Sequence, residues 1–197
     1  MTLAFLQPSQ TVESAIVEEL MQWSREVLEK PSPYFNNLPP CPYAKQAWFE
    51  SKVAILFKYE NNYQTLYNTI ALFDDTFDLA IIIDLGNKKN SEDFHEYLEH
   101  LNEVISQGMF IDKDVWVMGF HPDDEANDFV EDVQFDPVTD VEYAMIFVQR
   151  LSKLQVAADK LDKKGYYDIY NKEYDAKELY AQREKLYRRL KNGNETS

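Results

Sequence analysis

The stretch LAIIIDL, Leu79 to Leu85, is apolar for five consecutive positions before an acid, Asp84, interrupts it. A run that short, apolar on both alternating faces, is a strand covered on both sides. Its surroundings fix the fold class. Upstream, VAILFKY (Val53 to Tyr59) reads as a second strand and NNYQTLYNTIALF as the helix between the two. Downstream, NSEDFHEYLEHLNEVISQG reads as a helix with a capping residue at Asn90 or Ser91, an acidic first turn and Gly108 as its stop. DVWVMGF then gives a third strand. Strands alternating with helices predict an α/β fold: a small, mostly parallel βαβαβ sheet flanked by helices, with right-handed crossovers. The carboxyl ends of such strands share one edge, where ligands commonly bind, and the polar residues there are Asp84 and His121.

The flanks are helical in pattern. Thr11 to Lys30 carries Ala15, Ile16, Leu20, Trp23 and Leu28 near helical spacing, with a cap close to Ser9 or Thr11. The proline-rich PSPYFNNLPPCP breaks that helix, and Pro42 suits the first turn of the next. A long helix is expected from about Asp140 to Lys164, then a tyrosine-rich connector from Tyr166 to Tyr174 and a last helix from Asp175 to Lys191. The expected organisation is one α/β domain over residues 1–165, with residues 166–197 forming a connector and a carboxyl-terminal helix that packs on it. Leu179, Leu186, Tyr187 and Leu190 are the apolar stripe of that helix.

Charge narrows the partners. A net charge of −15 over 197 residues repels phosphate backbones, so nucleic acid is not expected. No apolar run approaches the roughly 20 residues of a membrane span, so no membrane partner is expected either. The first ten residues lack a secretory pattern, and a single cysteine excludes an internal disulfide framework, so a cytoplasmic location with a free thiol is expected. The oligomeric state is left open. Acidity is uneven: Ala176 to Lys191 carries six basic and two acidic side chains, whereas Pro122 to Glu142 carries nine acids and no Lys or Arg.

Two places hold candidate chemistry. Cys41 precedes a helix start, where the helix dipole lowers a thiol pKa, and Lys45 lies one turn further on. Its other reading is a packed thiol. His121, in GFHPDDE, ends a strand and faces several carboxylates, so it reads as a general base with an orienting acid, or as a cap on the strand's last carbonyls. Cys41 and His121 with Asp84 or Asp123 would number enough ligands for zinc, but their sequence spacing does not argue for it, so no metal and no cofactor is expected. Asp123, Asp124, Glu125 and Asp128 read as a solvated acidic loop. His95 and His100 sit among glutamates on a helix and are assigned no role, and the tyrosines after Tyr166 read as a packing surface.

LPPCPYAK, the strand LAIIIDL followed by SEDFHEYLE, and VWVMGFHP stand in the order and spacing of an uncharacterised bacterial family, domain of unknown function 1415, which the chain resembles from about Trp23 to Arg150. The resemblance implies that Cys41, Pro42, Lys45, His121 and Pro122 are shared site positions. Arg150 is retained, while Phe147 stands where the family has a His and an acid-rich loop replaces an arginine-bearing one. Two functions follow as expectations. One is a cleft of Cys41, Lys45, Asp84, His121 and Arg150 that binds a small anionic metabolite, with Lys45 and Arg150 holding the anion, His121 exchanging a proton and Cys41 as nucleophile or ligand. The other is a non-catalytic protein-interaction module with an acidic face and a basic terminal helix.

Overall fold

The computed structural model describes residues 11–110, 113–124, 141–169, 181 and 183–188. The acid-rich segment 125–140, Tyr170 and Tyr174 of the expected connector, and most of the expected last helix lie outside them. The fold is α/β, built on a four-stranded mixed sheet in the order β1-β2-β4-β3. Its strands are β1 (Val53–Lys58), β2 (Leu79–Asp84), β3 (Trp116–Phe120) and β4 (Ala144–Gln149). The helices are α1 (Val12–Trp23), α2 (Ala44–Phe49), α3 (Gln64–Leu72), α4 (Ser91–Ser106) and α5 (Leu151–Asp162). Among them no helix is long and apolar enough to cross a membrane.

β1 pairs parallel with β2 in a register that sets Lys58 opposite Asp84. β4 pairs antiparallel with both β2 and β3. The three strands read from the sequence therefore point the same way, with an antiparallel strand inserted between the second and the third. That strand corrects the long helix expected from about Asp140. Ala144 to Val148 are all buried, and a run apolar on every side suits a central strand, which has a covered face above and below. Helical structure begins only at Leu151, where Ser152 N–H donates to Asp114 Oδ1 at 2.9 Å.

Two apolar layers enclose the sheet. Alternation along β2 sends Ala80 and Ile82 to one face, against Leu66 and Ile70 of α3 and Phe94, Leu98, Leu101 and Ile105 of α4. Ile81 and Ile83 face the other way, against Ile16 and Leu20 of α1. Both crossover helices lie on one face because the chain steps through β1, β2 and β3 in one direction, so no reversal opens a crevice between strands. α4 packs closely: a Cβ at Gly119 would lie 2.4 Å from the Phe94 ring and 2.6 Å from Leu98. On the α1 face a third cluster joins Trp116 and Leu151 to Leu186, from the helical segment 183–188.

Capping follows the residue types. Thr11 and Asn90 accept from Ser14 N–H and Asp93 N–H at the starts of α1 and α4. The first helix does not run on as an α-helix to Lys30; a single π turn, Ser24–Leu28, ends it before the prolines. Trp48 of α2 is tied to that turn, its indole N–H donating to Ser24 Oγ at 2.9 Å.

The outer edge of β3 is closed by α4. Buried Asn102 donates to the Val117 carbonyl at 2.7 Å and accepts from Val117 N–H at 3.0 Å, in the manner of a further strand. Replacing it leaves two buried main-chain groups unsatisfied, at about 1–3 kcal/mol each. Asn102→Leu should therefore lower the stability measured by urea unfolding by about 2–5 kcal/mol, whereas removal of an exposed side chain of α4, as in Glu99→Ala, should change it little.

Candidate functional site

The carboxyl edge of the sheet carries the polar groups. Lys58 and Asp84 end β1 and β2 side by side, and Lys58 Nζ donates to Asp84 Oδ1 at 2.7 Å with both side chains almost fully buried. Lys58 also donates to the Glu60 carbonyl at 2.6 Å, and Gly86 N–H donates to Asp84 Oδ1 at 3.1 Å. Gly86 has to be glycine: a Cβ there would lie 2.4 Å from the Tyr59 carbonyl oxygen. Burial pushes the Asp84 carboxyl above its ordinary pKa, and the hydrogen bond and charge of Lys58 offset this only in part. Tyr63, 5.8 Å from Lys58 Nζ across its ring, stacks on Tyr97 at 3.7 Å between centroids. The Tyr97 hydroxyl meets that of Tyr67. Burial, then the Asp84 charge, push Tyr63 up to about 12.

His121 follows β3 and is buried. Its Nδ1 accepts from Asp123 N–H at 3.1 Å, which assigns the proton to Nε2. That nitrogen lies 2.9 Å from the Lys89 carbonyl oxygen and 2.9 Å from the Asn87 side-chain amide. Nε2 thus fastens the end of β3 to the loop between β2 and α4, while Nδ1 braces the turn that follows β3. Asp124 completes the fastening. One of its oxygens accepts from His121 N–H at 2.7 Å, and the other accepts from the Ser91 hydroxyl at 2.6 Å and lies 2.8 Å from His95 Nε2. Burial opposes its charge, but these hydrogen bonds outweigh it and hold the carboxyl below its ordinary value.

Cys41 lies elsewhere. Its N–H donates to the Leu28 carbonyl at 2.9 Å, while the neighbouring Pro40 carbonyl accepts from the Tyr166 hydroxyl. α2 begins three residues later, at Ala44, rather than at Pro42. Burial pushes the Cys41 thiol above its ordinary pKa and outweighs the hydrogen bonds from the Tyr43 and Ala44 amides. This corrects the expected activation: the amide donors are present, but desolvation acts against the thiolate and is the larger effect. Lys45 is exposed on α2.

The structure brings together Asp84, His121 and the loop between β2 and α4, but not Arg150. Arg150 follows the last residue of β4, and Gln149 pairs with Leu79 and Trp116, the first residues of β2 and β3. Arg150 is therefore at the opposite edge, about 20 Å from Asp84 at the rise of a strand. There it pairs with Asp75 at 3.1 Å and lies 5.3 Å from the Phe73 ring. This corrects its expected place in a cleft with Asp84, and the reason is that the segment before it is a strand and not a helix. Phe147 points from β4 into the α1 face, 5.1 Å from the Phe120 ring. The hydrogen-bonding partners of Cys41 and of His121 have no residue in common. Among the described residues no three His, Cys, Asp or Glu side chains are grouped so as to hold a metal ion.

Sequence reading missed Lys58, the Tyr63–Tyr67–Tyr97 cluster and His95. The Lys58 signal was available: two apolar strands of equal length end in opposite charges. No protein-family model matches the chain, and no curated protein or solved structure matches it either.

Breaking the Lys58–Asp84 pair strands a buried ammonium. Asp84→Asn should cost about 3–5 kcal/mol in urea unfolding, and Lys58→Met/Asp84→Leu should restore most of it. At pH 7 Cys41 should alkylate more slowly than a free cysteine, and its rate should rise toward the free-thiol rate only well above the ordinary thiol pKa or on unfolding. Fast alkylation of the folded protein at neutral pH would contradict the raised thiol pKa of this half-buried cysteine.

Proposed function

We propose that this chain is a non-catalytic protein-interaction module, working in a reducing cytoplasm, whose acidic exterior and basic terminal helix engage protein partners. The observation that carries this reading is the use of Asp124. Three donors at the carboxyl edge, the His121 main-chain N–H, the Ser91 hydroxyl and the His95 imidazole, are turned to that one carboxylate. An anionic ligand would have to take the place of a carboxylate that the fold itself supplies. Lys58 is committed to Asp84 in the same way, and Arg150 to Asp75.

Bonds of this kind hold a scaffold rigid and leave little chemistry at its surface. The same logic covers the positions that resemble domain of unknown function 1415. Here the Cys41 main chain anchors a loop to the first helix, and His121 anchors a strand end to a loop. On this reading those motifs specify the fold, and function resides in the charged exterior. The net charge of −15 favours cationic protein surfaces and disfavours nucleic acid.

The test is an amide chemical-shift titration of the full chain. Phosphate and small di- and tricarboxylates should leave Cys41, Lys45, Asp84 and His121 unshifted. An oligolysine peptide should shift exposed acidic positions, with an affinity that falls as salt is raised. Saturable shifts at Cys41, Lys45 and His121 with any of the small anions would overturn the proposal in favour of a metabolite site.

A further inference from the structure

The turn between β1 and α3 meets α4 through half-buried tyrosines. Tyr63 caps α3, Tyr67 lies one turn further on, and Tyr97 belongs to α4. All three pack on the α3 and α4 layer of the core. The rings of Tyr63 and Tyr97 are stacked, 3.7 Å between centroids and 14° from parallel. Ring carbons of one therefore lie in van der Waals contact with ring carbons of the other. Because each ring covers the inner face of its neighbour, the cations beside them take the outer faces. Lys58 Nζ is 5.8 Å from the Tyr63 centroid, and Lys89 Nζ is 5.9 Å from that of Tyr97. Lys58 is itself fixed by Asp84 and the Glu60 carbonyl, so the pair is held from both sides. The Tyr97 hydroxyl is bonded to that of Tyr67. Burial, and then this bond, push the Tyr97 hydroxyl above its ordinary pKa, so it keeps its proton at neutral pH and turns it toward Tyr67.

We propose that Tyr63 and Tyr97 form an oxidative modification site, at which hydrogen peroxide acting through a one-electron oxidant of the haem peroxidase class joins the two rings as an intramolecular dityrosine. Each phenol gives up one electron and its hydroxyl proton, which leaves two neutral phenoxyl radicals with unpaired spin on the ring carbons ortho to oxygen. Two such carbons in the stacked rings form a C–C bond. The hydrogen on each then moves to its own oxygen and restores the aromatic ring. The two electrons and two protons released convert one peroxide to two waters. A protonated phenol forms the neutral radical only if its proton leaves with the electron, and the Tyr67 hydroxyl is the acceptor in place for Tyr97. Tyr67 is not the coupling partner, because its contact with Tyr97 is oxygen to oxygen and holds the ortho carbons apart. The thiol competes poorly. Cys41 is the only cysteine, peroxide attacks the thiolate, and burial disfavours that form. The new bond ties the start of α3 to α4 beside Lys58 and Asp84, and thiol reductants do not reverse it. The site is separate from the acidic exterior, so its failure would leave the interaction reading in place.

Treating the full chain with hydrogen peroxide and a haem peroxidase should give protein lighter by two hydrogens, with dityrosine fluorescence and a proteolytic cross-link that fragmentation places between Tyr63 and Tyr97. The yield of that link should not depend on protein concentration, and unfolding in urea before oxidation should remove it. Tyr63→Phe should abolish the link, since a stacked ring without a hydroxyl forms no phenoxyl radical. Tyr67→Phe should keep the link in place but slow it about tenfold or more. Tyr59→Phe, which removes an exposed phenol, should leave it unchanged. The linked protein should melt at a higher temperature, because the closed loop restricts the unfolded chain. Cross-links confined to the exposed Tyr43 and Tyr59 and rising with protein concentration would overturn the proposal. So would a link from Tyr67 to Tyr97, an equal yield of the Tyr63–Tyr97 link from the urea-unfolded chain, or oxidation of Tyr67→Phe at the unaltered rate.

Discussion

The strand β4 is the constraint on which the arrangement depends. It runs antiparallel between β2 and β3 and is buried from Ala144 to Val148. Because it occupies the place next to β2, the third parallel-pointing strand is displaced one position outward, and the loop from β2 to α4 has to span the gap. That loop, residues 85–90, meets the end of β3 through Asn87 and Lys89 on His121. Because β4 runs the other way, its own carboxyl end emerges at the far edge and takes Arg150 with it. One antiparallel strand therefore both creates the His121 fastening and prevents the anion cleft.

Polar groups inside this fold are matched to one another. A buried lysine and aspartate are costly to desolvate, and their attraction repays this only when hydrogen bonds complete the site. The Glu60 carbonyl on Lys58 and Gly86 N–H on Asp84 supply those bonds. Burial still holds the Asp84 carboxyl above its ordinary pKa. Asp124 has its folded pKa below its unfolded value, so its contribution is present above the unfolded pKa and is lost as pH falls through the folded one.

The parts of the fold legible in the sequence were those with one unambiguous period. LAIIIDL, with too few residues for a buried helix and helices on either side, gave β2, and the spacing of Phe94, Leu98, Leu101 and Ile105 gave α4 with its cap at Asn90. AMIFVQ was ambiguous by the same rule, since six apolar-rich residues fit a buried strand or the first turns of a helix, and the helix in LSKLQVAADKLD pulls the reading its way. Misreading that one segment moved Arg150 across the sheet. At Cys41 the local signal was sound, as its amide donors show, but thiol pKa depends on desolvation by residues distant in sequence. His95 looked like an exposed helical histidine because its partner, Asp124, lies 29 positions away.

The edge of β1, uncovered among the described residues, and the buried pair at its end have a common origin. A lysine on an edge strand ordinarily keeps other strands away, because its charge must stay solvated. Lys58 is in line to do this, at the end of an uncharged run. The parallel register instead sets it opposite Asp84, and the contact that holds β1 to β2 draws its ammonium into the sheet. Pairing on one side of the strand thus removes the guard on the other. α4 supplies a replacement for β3 through Asn102 because it packs against that strand closely enough for an amide to reach the main chain, as the missing Cβ at Gly119 allows. α3, which packs on the β1 side of the same layer, buries Leu66, Thr69 and Ile70, and Thr69 bonds its own helix at the Thr65 carbonyl. It has no side chain turned to β1 in the manner of Asn102, so the asymmetry between the two edges is set by which helix carries a buried amide.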